Sequence, residues 1–119
     1  MTSAVDRALI ALRKSRINYT SERELGLAVG RVFSEAGLHY EVEHILSGRS
    51  RVDLWLEGGV AVELKVGGSA SGVLRQLHRY AGHDTVSEIL LVTTLHRHVR
   101  SLPATLCGKR VSVFRVTSF

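Results

Sequence analysis

The stretch that decides the fold is Arg51-Val52-Asp53-Leu54-Trp55-Leu56-Glu57-Gly58-Gly59-Val60-Ala61-Val62-Glu63-Leu64-Lys65. Val52, Leu54 and Leu56 alternate with other residues, and so do Val60, Val62, Leu64 and Val66. A period of two predicts strands over 51–56 and 60–66, and the Gly58-Gly59 pair between them predicts a hairpin. A one-residue slip would turn one aliphatic set away from the other, so the register pairs Leu56 with Val60. Glu57-Gly58-Gly59 is then a three-residue loop, with Gly59 as its left-handed residue. The same register sets Leu54 opposite Val62, Val52 opposite Leu64, Asp53 opposite Glu63, and Arg51 opposite Lys65.

The elements around the hairpin follow from simpler signals. Ser3 can cap a first helix that reaches about Lys14, with Val5, Ala8, Leu9 and Leu12 as its apolar stripe. Asn18-Tyr19-Thr20 breaks it. Ser21 to Glu24 has the capping-box pattern, so a second helix starts there and runs to about Ala36, with Gly37 as its stop. His39 to Leu46 reads as a strand ahead of the hairpin. Gly67 to Gly72 reads as a flexible loop, followed by a helix to about Gly82 with Leu74, Leu77 and Ala81 on one face. Ile89 to Val92 is a continuous apolar run, as in a strand buried on both sides. A short helical or irregular stretch, Leu95 to Leu102, precedes a last strand over Arg110 to Thr117. The order is α-α-β-β-β-α-β-(α)-β. Its strand-helix-strand unit favours parallel pairing, so the expected class is α/β with a mixed sheet flanked by helices.

The 119 residues suit one domain, 1–119, with a single core. No apolar run approaches the ~20 residues of a membrane span. The first residues lack the layout of a signal peptide, and Cys107 is the only cysteine, so a cytoplasmic location without disulfides is expected. Lys and Arg number 16 against 11 acids, a formal charge of +5, which favours a polyanionic partner. Only Lys14, Lys65 and Lys109 are lysines, so a lysine at a chemically loaded position stands out; codon bias would give the same ratio.

That position is Lys65. Asp53 and Glu63, facing each other across two strands, repel unless something neutralises them, and a divalent cation with oxygen ligands does so. Lys65 lies two residues past Glu63, on the same face and about 7 Å further along. Glu22, in the first turn of the second helix, projects from the core-facing stripe toward this face. Two carboxylates, an ammonium and a third carboxylate are the equipment for metal-assisted hydrolysis of a phosphodiester.

These residues resemble the PD-(D/E)xK nuclease superfamily. The likeness rests on Asp53, then Glu63-Leu64-Lys65 on the next strand, Glu22 upstream, and Gln76 with Leu77 and Tyr80 in the following helix. Val52 stands where the family's name-giving proline would be. The resemblance implies a restriction-endonuclease-like core and catalytic roles for Glu22, Asp53, Glu63, Lys65 and Gln76. It implies Mg2+, with Mn2+ as a substitute, held by Asp53, Glu63, the Leu64 carbonyl and Glu22. Lys65 would act on the attacking water. Small Holliday junction resolvases are similar in scale, which implies a homodimer cutting branched DNA. Other nucleases of phage or defence type, and a DNA-binding module without catalysis, are the alternatives; so is a partner-binding protein.

Arg49, Arg51, Ser69, Ser71, Arg75 and Arg79 are the candidate DNA contacts. Each has a plainer reading beside the functional one. Asp53 and Glu63 can be solvent-facing strand charges paired with Arg51 and Lys65. Glu22 can serve only the helix dipole, and Gln76 can be a surface residue. His96-x-His98 lacks spaced partners for zinc and reads as solvated. Cys107 reads as structural.

Overall fold

A computed structural model of the chain describes residues 2–117. Its elements are α1 (Ala4–Lys14), α2 (Glu22–Glu35), β1 (Tyr40–Ser47), β2 (Ser50–Leu56), β3 (Val60–Lys65), α3 (Ala70–Ala81), β4 (Glu88–Thr93), α4 (His96–Ser101), β5 (Thr105–Leu106) and β6 (Lys109–Arg115). The protein is an α/β fold with one mixed six-stranded sheet in the order β1-β2-β3-β4-β6-β5. β1, β2 and β3 pair antiparallel; β3, β4 and β6 run parallel. The helix between β3 and β4 is what permits that parallel pair. The two-residue β5 pairs with β6 and was not anticipated from the sequence. It is too short to carry a period. Cys107 lies in the turn that joins them, exposed and with φ 51°, so it has no place in the core.

The helix ends follow the local chemistry. Ser3 Oγ accepts from the Asp6 N–H at 3.1 Å, and Ser21 Oγ from the Glu24 N–H at 3.1 Å. The capping box is half formed, because Glu24 Oε2 accepts from the Thr20 hydroxyl at 2.6 Å. α2 closes with Gly37 at φ 76°, the Gly37 N–H bonded to the Ser34 carbonyl and the Leu38 N–H to that of Phe33. This pair of bonds satisfies two otherwise orphaned carbonyls, and buried Leu38 and Phe33 add apolar burial at the same corner.

Two apolar layers flank the sheet. On one side, Val5, Leu9 and Leu12 of α1 and Leu25, Val29 and Phe33 of α2 pack with Leu54, Leu56, Val60, Val62, Leu64, Leu90 and Val92. On the other, Val73, Leu77, Tyr80 and Ala81 of α3 pack with Val52, Ala61, Ile89 and Leu91. Val73 and Tyr80, rather than Leu74, complete the buried stripe of α3. Fully burying an aliphatic or aromatic side chain contributes roughly 1.5–3 kcal/mol, so these two layers dominate the stability.

The hairpin register holds at Leu56–Val60, Trp55–Ala61 and Leu54–Val62. The β2–β3 ladder ends there. Val52–Leu64, Asp53–Glu63 and Arg51–Lys65 do not continue it, because side chains take over its hydrogen bonds. The expectation that Val52, Leu54 and Leu56 share one face is also corrected: Val52 packs with α3, while Leu54 and Leu56 pack with α1 and α2. β1 makes the same change. Tyr40 packs on the α2 side and Leu46 on the α3 side, although they stand six positions apart and a strict period of two would put them on one face. The two changes meet between the Val42–Leu54 and His44–Val52 pairs, where Glu43 has φ 54°. A left-handed residue in a strand breaks the period of two.

Candidate active site

The site lies where β2 and β3 part. Asp53 Oδ2 accepts from the Leu64 N–H at 2.9 Å. Tyr80, reaching from α3, places Oη 2.8 Å from the Arg51 carbonyl and 3.0 Å from Glu63 Oε1, and Gln76 Nε2 donates to Oη at 2.9 Å. The backbone ladder is thus replaced by a wedge of side chains. Asp53 ties β2 to β3 from one side, and Tyr80 ties Arg51 to Glu63 from the other.

Glu63 is 1% exposed. That excludes a solvent-facing strand charge. Burial first, and the Asp53 charge second, push its pKa up to about 8; Lys65 and the Tyr80 hydroxyl pull it down. Lys65 Nζ stands 3.5 Å from Glu63 Oε2, with its side chain 23% exposed. The Tyr80 hydroxyl is raised by burial and then by the Glu63 charge, so it remains a donor across the working pH range.

The acids do not all share one face. Glu63 and Lys65 face α3, whereas α2 covers the opposite, aliphatic layer. Glu22 therefore approaches Asp53 from the other side, through a groove of about 560 Å³ that also includes Gly26, Leu27, Val42 and Glu43. Asp53 belongs to both surroundings because β2 changes phase beside it. Among the described residues, no three His, Cys, Asp or Glu side chains form a group that could hold an ion. Asp53, Glu63 and the Leu64 main chain form a smaller, all-oxygen donor set. A hard cation that keeps several waters fits such a set, and the like charges of the two acids favour it.

Gln76 touches Tyr80, so its reach to Glu63 is indirect. Arg51 lies 3.8 Å from Glu43 Oε1, not beside Asp53. Arg49 is exposed in the β1–β2 turn, and Arg75 and Arg79 are exposed on α3. Ser69 is occupied as the N-cap of α3, accepting from the Gly72 N–H at 3.1 Å, and Ser71 lies in its first turn.

Two groups were not read from the sequence. Glu43 joins the groove only because of its left-handed backbone, which no local pattern announces. His98, expected to be solvated, is 0% exposed. Its Nδ1 is 2.7 Å from Thr93 Oγ1 and its Nε2 is 3.1 Å from the Gly68 carbonyl. Since Thr93 Oγ1 also accepts from the Leu95 N–H, the Thr93 hydroxyl can donate to Nδ1 and leave Nε2–H for Gly68. Arg97 donates to the same carbonyl. The glycine loop after Lys65 is therefore anchored to α4. Alternation between polar and apolar residues could not reveal this, because the partners are 30 residues apart.

No protein-family model matches the chain, and neither a curated protein nor a solved structure is significantly similar to it.

Proposed function

We propose that the chain is a metal-dependent endonuclease with a restriction-endonuclease-like core, hydrolysing phosphodiester bonds in DNA. The observation that carries the reading is the convergence of Asp53, buried Glu63 and Lys65 at the β2–β3 fork, with Lys65 Nζ 3.5 Å from Glu63. A bound Mg2+ would polarise the phosphate and lower the pKa of a coordinated water. Asp53 and Glu63 supply the carboxylates, and the Asp53–Leu64 hydrogen bond fixes one of them against the main chain. Tyr80 and Gln76 orient Glu63. Lys65, partly exposed beside it, orients the attacking water or offsets charge on the phosphate. Glu22 and Glu43 border the approach to Asp53.

The proposed substrate is branched DNA, on which a two-fold dimer would set two such sites on two strands. The test is cleavage of a four-way junction, a flap, a duplex and a single strand, each with Mg2+ and with EDTA. Metal-dependent cutting, with preference for the junction, is expected. No cutting of any nucleic acid would refute the nuclease reading. DNA binding that persists without turnover would indicate a binding module on the same fold. Sedimentation as a monomer at micromolar concentration would remove the junction preference but not the chemistry.

A further inference from the structure

Five cations gather where α1 ends, and among the described residues none has an acid within salt-bridge distance. Arg13 and Lys14 close α1, Arg16 follows in the linker, Arg31 lies on α2 and Arg115 ends β6. All five line two adjoining grooves at this corner, and Arg16 lines both. One, of about 360 Å³, includes Arg13, Arg16, Asn18, Phe114 and Arg115. The other, of about 450 Å³, includes Lys14, Arg16, Asn18, Arg31 and Glu35. Arg16 and Asn18 thus form the ridge between them. Glu35 is the one acid in either groove, and it makes no ion pair with its neighbours there. Elsewhere Arg7 pairs with Glu57, Arg51 with Glu43, and Arg110 with Asp6 and Glu88. Arg23, Arg49, Arg75, Arg79, Arg97 and Arg100 make no ion pair among the described residues but do not share a groove as these five cations do. Concentrated like charge destabilises a fold by self-repulsion, which a polyanion relieves.

The patch is placed relative to the active site by the parallel strands. Lys65 stands opposite Thr93, and Thr93 opposite Arg115. Two strand spacings put the Lys65 and Arg115 main chains about 10 Å apart, at the same end of the sheet. A nucleic-acid strand rises about 3.4 Å per nucleotide, so this span is about three nucleotides. The opposite end of the sheet carries the paired arginines Arg7 and Arg110.

We propose that the two grooves grip the phosphate backbone of the DNA about three nucleotides from the scissile bond, so that the substrate runs from Lys65 across the ends of β3, β4 and β6 to the α1–α2 linker. This rests on the nuclease reading for the position of the cut, but not for the binding itself. Phosphate contacts of this kind position the substrate without reading its sequence.

The test compares two double variants with the same change in net charge. One is Arg16→Gln/Arg115→Gln; the other is Arg7→Gln/Arg110→Gln. Binding of labelled junction and duplex DNA is followed by fluorescence anisotropy across a salt series in Ca2+, and thermal melts confirm folding. The first double is expected to weaken binding by at least about tenfold and to lower the salt slope by about 2. The control is expected to lose less than about threefold, and the Arg16→Lys/Arg115→Lys double to recover most of the loss. Equal losses in both doubles, or none, would overturn the surface. So would binding to phosphatidylserine vesicles without binding to DNA. Loss of binding in a protein that never cuts DNA would leave the surface standing and refute the nuclease reading. Cutting with unchanged KM in the first double would do the reverse.

Discussion

Asp53 accepts a hydrogen bond from the Leu64 N–H at 2.9 Å, at the point where the backbone ladder between their strands has already ended. A side chain does there what a carbonyl would otherwise do. The carboxylate is held against the main chain of the strand that carries Glu63 and Lys65, and its geometry does not depend on a flexible contact. The same fork accounts for Tyr80, which takes the Arg51 carbonyl left by the parted ladder.

Asp53→Asn keeps an oxygen able to accept from Leu64, so folding should be nearly unchanged while metal-dependent cleavage falls by at least about a hundredfold. Asp53→Ala leaves the amide without its partner and should cost about 1–3 kcal/mol as well. Urea denaturation beside a junction-cleavage assay separates the two effects.

The pH dependence of stability should run against the common pattern for acids. Glu63 has its pKa raised from 4.5 to about 8, so the folded state holds a proton that the unfolded state releases. The contribution of Glu63 to stability without metal is therefore fullest below about pH 4.5, declines as pH rises toward 8, and levels off above it. The span corresponds to about 5 kcal/mol as an upper bound. Glu63→Gln should flatten this part of the profile, raise the melting temperature at pH 8 and abolish cleavage. Thermal melts from pH 5 to 9 in EDTA decide it; an unchanged slope in the variant would count against the buried acid as its cause.

Tyr80→Phe removes the hydroxyl shared by Arg51, Glu63 and Gln76. A loss of about 1–3 kcal/mol is expected, because the hydroxyl's buried polar partners are left unpaired. Cleavage should fall, and the Mg2+ needed for half-maximal rate should rise, since Glu63 is no longer oriented. Gln76→Ala should show the same shift in metal dependence, but smaller. A metal titration of the cleavage rate measures both.

Glu43 sits at φ 54° in the middle of β1. A left-handed backbone costs a side-chain-bearing residue about 1–2 kcal/mol, and a β-branched one more. Glu43→Gly should be neutral or slightly stabilising, because relief of strain is offset by chain entropy. Glu43→Val should destabilise by at least about 1 kcal/mol relative to the glycine variant. Equal stability of the two would refute strain at this position.

Much of the architecture was legible. The helices, the hairpin and its first three pairs follow from apolar periods and from capping and turn residues, which act within a few positions of one another. The parallel strands follow from the helix between them. The candidate site was legible as a set of residues but not as an arrangement. Alternation placed Asp53, Glu63 and Lys65 on one face beneath Glu22. That extrapolation failed at Asp53, where both β1 and β2 change phase.

Sequence alone thus determined the α/β class, the mixed sheet and the short list of acids with Lys65, because local patterns and composition carry that information. Tertiary structure decided how they meet. It set α2 and α3 on opposite faces, sent Glu22 to the aliphatic side, buried His98 and brought Tyr80 into the fork. Each of these depends on contacts between residues far apart in the chain, and the phase change at Glu43 and Asp53 is a compromise between two packed layers that no single strand specifies. The opening hairpin fixed its register through its aliphatic pairs, and the two layers then pulled its far end apart.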